Sequence, residues 1–88
     1  MSIFGRSKQD TSVYTGQVDG QNPHDVSSEL YNSGKFSTVL GVGSTVTDSK
    51  GRIVGGSVEI MDGDQLDQDQ QATLASNNVK NVRRIWRG

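Results

Sequence analysis

The chain has 88 residues, a mass of 9.5 kDa, a formal net charge of −1 and no cysteine. A chain of this size buries only about 60 % of the surface that it exposes when unfolded, and 31 % hydrophobic residues exclude a large private core. The missing cysteines exclude disulfides and thiolate zinc sites, and the near-neutral charge creates no global field towards nucleic acid or a membrane.

Residues 1–35 are polar and are interrupted by glycine and proline, which predicts a largely irregular N-terminal arm that orders on a partner. Within this arm we expect a short strand over residues 12–15 and a helix over residues 23–31, with Pro23 in its first turn. The arm side chains expected at an interface are Ile3, Phe4, Tyr14 and Tyr31.

Residues 36–61 are rich in β-branched residues and glycine, which predicts a meander of three or four short antiparallel strands. The sequence Asp48-Ser49-Lys50-Gly51 indicates a hairpin turn, because aspartate bonds the backbone two residues on and glycine takes the left-handed conformation. Gly55 and Gly56 are expected to form a second bend or a bulge before another strand over residues 57–60.

Residues 64–86 show helical periodicity, and the predicted helix begins at an N-cap, either Asp62 or Asp64. At about 100° per residue the apolar side chains fall on one narrow stripe. The stripe consists of Ala72, Ala75, Val79, Val82 and Trp86.

No motif for catalysis or for a cofactor is found in the sequence. The acidic run over residues 62–69 lacks the glycine and glutamate positions of an EF-hand, and the pair Gly41 and Gly43 lacks the rest of a phosphate-binding fingerprint. His24 stands beside a turn with no arrangement that would activate a nucleophile. We therefore expect no enzyme activity, no cofactor and no metal.

The C-terminal segment combines cations with one tryptophan. Three interpretations remain open: a helix end whose arginines offset the helix dipole while the indole packs inward, a surface that binds a protein partner, and a nucleic-acid or lipid contact. The residues expected at a partner interface are Arg83, Arg84, Trp86 and Arg87.

Two segments resemble known families. The sequence VTDSKGRI over residues 46–53 resembles hairpin segments of bacteriophage tail fibres and related virion proteins, which implies a structural protein that works by homo-oligomeric β packing. The glycine and aliphatic runs over residues 38–44 and 56–60 are similar to those of bactofilins, filament-forming proteins with a β-helical core.

Together these features predict an α+β fold, in which a small antiparallel meander and an amphipathic C-terminal helix occupy residues 36–88 and the arm occupies residues 1–35. The expected function is that of a non-enzymatic structural subunit of a larger assembly, with a bacteriophage virion as its setting. The expected partners are structural protein subunits, in a homo-oligomer or a hetero-assembly. The alternative is an adaptor or regulatory module whose basic C-terminal helix binds nucleic acid or an acidic protein. The N-terminus carries no signal-peptide pattern and no apolar stretch is long enough to span a bilayer, so synthesis in the cytoplasm is expected.

Overall fold

A computed structural model describes residues 11–88 of the chain. Along the sequence these residues form β1, α1, β2, β3, α2 and β4. The bounds are Ser12–Asp19 for β1, Pro23–Ser33 for α1, Thr38–Thr47 for β2, Ile53–Asp62 for β3, Gln68–Ser76 for α2 and Val79–Arg87 for β4. Ile3 and Phe4 lie outside the described residues.

The four strands form one antiparallel sheet in the order β2-β3-β1-β4. This element order and strand order define a split β-α-β arrangement, in which a strand from the N-terminal part of the chain is inserted between two later strands. The prediction of a meander with a largely irregular N-terminal arm is therefore wrong in two respects. β1 is a central strand rather than part of an arm, and β3 and β4 are separated by it.

The core lies between one face of the sheet and the two helices. Side chains of β1 alternate, so that Tyr14 and Val18 are buried together with Val58 and Ile60 of β3. The helices add Val26, Leu30 and Leu74, and β4 adds Val79. Gly16 lies on this face, where an added Cβ would collide with the side chain of Val79.

Helix α1 confirms the helix predicted after residue 22. Asn22 is the N-cap, and its side chain accepts a hydrogen bond of 2.9 Å from the backbone N–H of His24. Gly34 ends the helix in the left-handed conformation, at φ 68°. The apolar side chains that this helix buries are those of Pro23, Val26 and Leu30.

The hairpin between β2 and β3 confirms the predicted turn. The Asp48 carboxylate accepts hydrogen bonds from the backbone N–H groups of Lys50 and Arg52, and Gly51 has a φ of 78°. Of the two alternatives expected at residues 55–56, the bend is not found, because β3 continues through them. A bulge lies directly beside them, at Val54, which has no partner residue on β2. Gly56 is instead a point of close approach, where a Cβ would run into the backbone of Ser44.

The prediction of a helix over residues 64–86 is wrong at both ends, because the helix spans only Gln68–Ser76 and neither Asp62 nor Asp64 is its N-cap. Helix α2 begins at the N-cap Asp67, which forms a capping box with Gln70. It ends after Ser76, and Asn78 takes a left-handed conformation at φ 60° that turns the chain back towards the sheet. The rest of the segment is β4, which pairs with β1.

Bulges in β4 explain why its sequence shows helical spacing. Register shifts relative to β1 leave extra residues in β4, one of them near Asn81, which has a φ of 52°. The extra residue puts Val79 and Val82, three positions apart, on the same side against Gly16. Two valines on the same face of the bulged strand are therefore three residues apart, which is also the spacing of residues on one face of a helix.

Candidate protein interface on the open face of the sheet

The sheet face opposite the helices is open within residues 11–88. On β1 it carries Val13 and Thr15, which are half-buried, and Gln17, which is exposed. The side chains on this face come from all four strands, and the register of the sheet decides which of them are neighbours.

One row across this face is apolar. Val13 pairs with Met61 of β3 on one side and with Trp86 of β4 on the other. Val13 and Met61 are half-buried, whereas Trp86 is 55 % exposed. We call these three residues, Val13, Met61 and Trp86, the Trp86 patch.

The next row is polar and carries an unpaired cation. Thr15 lies between Arg83 of β4 and Glu59 of β3. Four ion pairs occur within residues 11–88, and Arg83 takes part in none of them. Its guanidinium is thus free, among the residues described, to contact an acidic or carbonyl group of a partner beside the Trp86 patch.

A shallow depression of about 310 Å³ follows this row. Two short hydrogen bonds flank it, one of 2.9 Å between the Ser44 and Ser57 hydroxyls and one of 2.8 Å from the Asn81 amide to the Gln17 amide oxygen. Small-molecule sites are enclosed and mostly apolar. This depression is instead open to solvent and lined mainly by polar residues and glycine.

The basic residues that lie close together in the C-terminal sequence are on opposite faces of the sheet in the structure. Arg84 and Arg87 both bind the Asp64 carboxylate, with nitrogen–oxygen distances of 2.7 and 3.3 Å. Arg83 and Trp86 lie on the open face instead, opposite Thr15 and Val13 of β1. They share this face, although they are three residues apart, because the bulge at Ile85 adds one residue to β4. Of the four predicted residues, Arg84 and Arg87 bind Asp64, whereas Arg83 and Trp86 are exposed on the sheet face that residues 11–88 leave open.

The two predicted tyrosines have different environments. Tyr14 is 7 % exposed, and its hydroxyl lies 2.6 Å from the Gly63 carbonyl oxygen and 2.8 Å from that of Asp64. Burial raises the pKa of this hydroxyl. Tyr31 is 72 % exposed on α1, away from the Trp86 patch, because α1 covers the opposite face of the sheet.

The sequence analysis did not identify Val13 and Met61 as neighbours of Trp86 on the open face. Val13 had a usable signal, since alternation along the predicted strand places it on the face opposite Tyr14. Met61 became its neighbour only through the long-range register of β1 and β3.

The acidic segment after β3 is used for structural hydrogen bonds. Asp62 accepts from the backbone N–H of Ser37 and from the Gln70 amide, Asp67 caps α2, and Asp69 pairs with Lys35 at 2.6 Å. Residues 11–88 contain no group of three or more histidines and carboxylates placed to hold a metal ion. In the same part of the chain, no helix has the length and apolar character needed to cross a membrane.

Comparison with protein-family models, with curated proteins and with solved structures found no match. The resemblances of residues 46–53 and of the glycine-rich runs therefore remain predictions.

Proposed function

We propose that the protein is a non-enzymatic structural subunit that joins a larger assembly by binding another protein subunit through the Trp86 patch. The observation that carries the proposal is the exposed indole of Trp86 beside two apolar neighbours on an open sheet face. Tryptophan and arginine are the side chains that most often dominate the free energy of a protein interface.

The arrangement of this face supports a protein partner of defined chemistry. The apolar row fits a shallow apolar depression on the partner, which would exclude water from the indole. Arg83, one row away and without an ion pair within residues 11–88, fits an acidic side chain at the rim. A bacteriophage particle is the setting implied by the resemblance at residues 46–53.

Nucleic acid is supported less well as the partner. Single-stranded nucleic acid requires several stacking aromatics and a continuous positive groove. On this face the described residues offer one aromatic ring, and Glu59 lies opposite Thr15 in the row that holds Arg83. Asp64 also neutralises Arg84 and Arg87.

The proposal is tested by fractionating the assembly from the natural source on a density gradient and measuring the amount of this chain in it. We expect the parent chain to sediment with the assembly at a fixed stoichiometry. The Trp86→Ser variant should stay near the top of the gradient, because it loses the central apolar contact of the interface.

The matched control is Tyr31→Ser, which removes an aromatic ring of comparable exposure from α1. This variant should sediment like the parent. Both variants should melt close to the parent, since both rings are largely in solvent. A parent chain that never enters an assembly, or a Trp86→Ser variant that enters it normally, would contradict the proposal.

A further inference from the structure

The open face of the sheet carries an unpaired charge of each sign. Arg83 of β4 and Glu59 of β3 lie on the two sides of Thr15, which is on the strand between them. Four ion pairs occur within residues 11–88, and neither of these two side chains takes part in them. Both charges can therefore pair with opposite charges on a partner that covers this face.

The sheet itself keeps the two charges apart. Because β1 lies between β3 and β4, the backbones that carry them are about 9.5 Å apart. The Glu59 carboxylate also lies towards β2, since a Cβ added to Gly43 would come within 2.7 Å of one of its oxygens. A partner that satisfies both charges must therefore present an acidic and a basic group at a similar spacing.

The same face of a second copy presents these two groups in the required arrangement. Two sheets can pack face to face with a two-fold axis that runs between them along β1. In this arrangement β4 of each copy lies over β3 of the other. Arg83 of each copy then lies opposite Glu59 of the other, because both residues are in the row of Thr15. The axis forms this contact twice.

The same axis also matches the apolar row. Trp86 of each copy lies opposite Met61 of the other, and the Val13 side chains of the two copies face each other, because these residues share one row. An axis at right angles to the strands would instead place β4 over β4 and bring the two Arg83 side chains together. Complementary charges and apolar contacts therefore both favour the axis along β1.

We propose that the subunit bound by the Trp86 patch is a second copy of this chain, and that the two copies pack the open faces of their sheets against each other around β1. This inference rests on the proposed function, because both use the Trp86 patch, and it adds the identity of the partner. Sheets packed face to face are about 10 Å apart, a distance that an arginine and a glutamate side chain span together.

The first test is the mass of the purified full-length chain in solution, measured by light scattering over a concentration series. We expect a mass twice the 9.5 kDa of the chain. Arg83→Glu and Glu59→Arg should each raise the dissociation constant of the dimer about tenfold or more, because each places like charges together in two contacts. The matched control is Lys50→Glu at the tip of the β2–β3 hairpin, outside the interface, and it should leave the mass unchanged.

The contact between Arg83 and Glu59 is tested by mixing the two variants. In a pair of one Arg83→Glu chain and one Glu59→Arg chain, both contacts again join opposite charges. An equimolar mixture should therefore form dimers at a concentration at which each variant alone is monomeric. A mixture that stays monomeric where the parent dimerises would overturn this arrangement of the two copies.

Cross-linking tests the position of the axis. The chain contains no cysteine, so a single introduced thiol reports on one position. A short thiol-specific cross-linker should convert Thr15→Cys into a covalent dimer, because the two copies of residue 15 face each other on the axis. Ser49→Cys, at the hairpin tip, should stay monomeric under the same conditions.

The results separate this inference from the proposed function. A parent chain that is monomeric at every concentration overturns the inference. If Trp86→Ser is nevertheless excluded from the assembly, the proposed function stands and a different protein covers the face. A dimer that is lost with the charge reversals and restored by mixing supports the inference, even where Trp86→Ser enters the assembly normally and the proposed function fails.

Discussion

Asp48 organises the tip of the β2–β3 hairpin through a single carboxylate. One carboxylate oxygen accepts hydrogen bonds from the backbone N–H groups of Lys50, at 2.8 Å, and Arg52, at 2.9 Å. The other oxygen accepts one from the Arg52 guanidinium at 3.0 Å. The hydrogen bond from the Arg52 backbone is the largest of the effects that hold the pKa of this carboxyl below its ordinary value of 3.8.

This lowered pKa predicts a pH-dependent contribution to stability. A group with a lower pKa in the folded state stabilises the fold above its unfolded pKa, and the effect is lost as the pH falls through the folded value. Asp48→Asn should therefore melt below the parent at pH 6, and this difference should shrink as the pH falls below about 3.8. Thermal unfolding followed by circular dichroism between pH 6 and pH 2 measures the difference.

The control for Asp48 is Ser49→Ala in the same turn. The Ser49 hydroxyl makes no hydrogen bond within residues 11–88. The melting temperature of Ser49→Ala should therefore equal that of the parent at every pH. A difference between Asp48→Asn and the parent that stays constant down to pH 2 would show that the ionised carboxylate is not what stabilises the turn.

At the scale of elements, helix α2 depends on one buried side chain. Leu74 is 3 % exposed, whereas Ala72 and Ala75 of the predicted apolar stripe are exposed. The helix spans only Gln68–Ser76, so its own hydrogen bonds do not make it stable without packing. Leu74 therefore connects α2 to the core.

Leu74→Ala should lower the free energy of unfolding by about 2–5 kcal/mol, the range for a large buried aliphatic side chain cut back to alanine. Ala75→Glu should change it by less than about 0.5 kcal/mol, because position 75 faces solvent. Urea denaturation of both variants gives the two values. The opposite ranking would indicate the long helix that the apolar spacing predicts, with position 75 in the core.

The elements that were predicted correctly are those whose signals are local. Helix α1 is marked by a cap residue at each end, Asn22 and Gly34. The turn is marked by Asp48 and by Gly51, three residues later. β4 was missed because its bulges space Val79 and Val82 as a helix would. Its β-branched residues, and the pair Asn77 and Asn78 before it, were the competing signal.

At the scale of the whole molecule, the candidate interface depends on strand order. Trp86, Val13 and Met61 are far apart in the sequence and become neighbours because β1 lies between β3 and β4. Periodicity assigns a residue to a face, but it does not say which strand lies beside which. The sequence therefore singled out Trp86 as a candidate interface residue, but not its two neighbours on the sheet.

Because β1 is a central strand, we predict that residues 36–88 do not fold without residues 11–35. Eight core residues are buried within residues 11–88, and four of them precede residue 36, namely Tyr14, Val18, Val26 and Leu30. A fragment of residues 36–88 lacks half of the core, and its β4 has no strand to pair with. We expect this fragment to be unfolded, with poor amide dispersion in NMR spectra and no cooperative melt.

A chain of residues 11–88 is the matched comparison, since it retains all six described elements. It should give dispersed amide signals and a cooperative melt. Mixing the fragment of residues 36–88 with a peptide of residues 11–35 should recover part of that dispersion, because the peptide supplies β1 and α1. Cooperative folding of residues 36–88 alone would instead support the domain boundary near residue 35 and would require β4 to pair directly with β3.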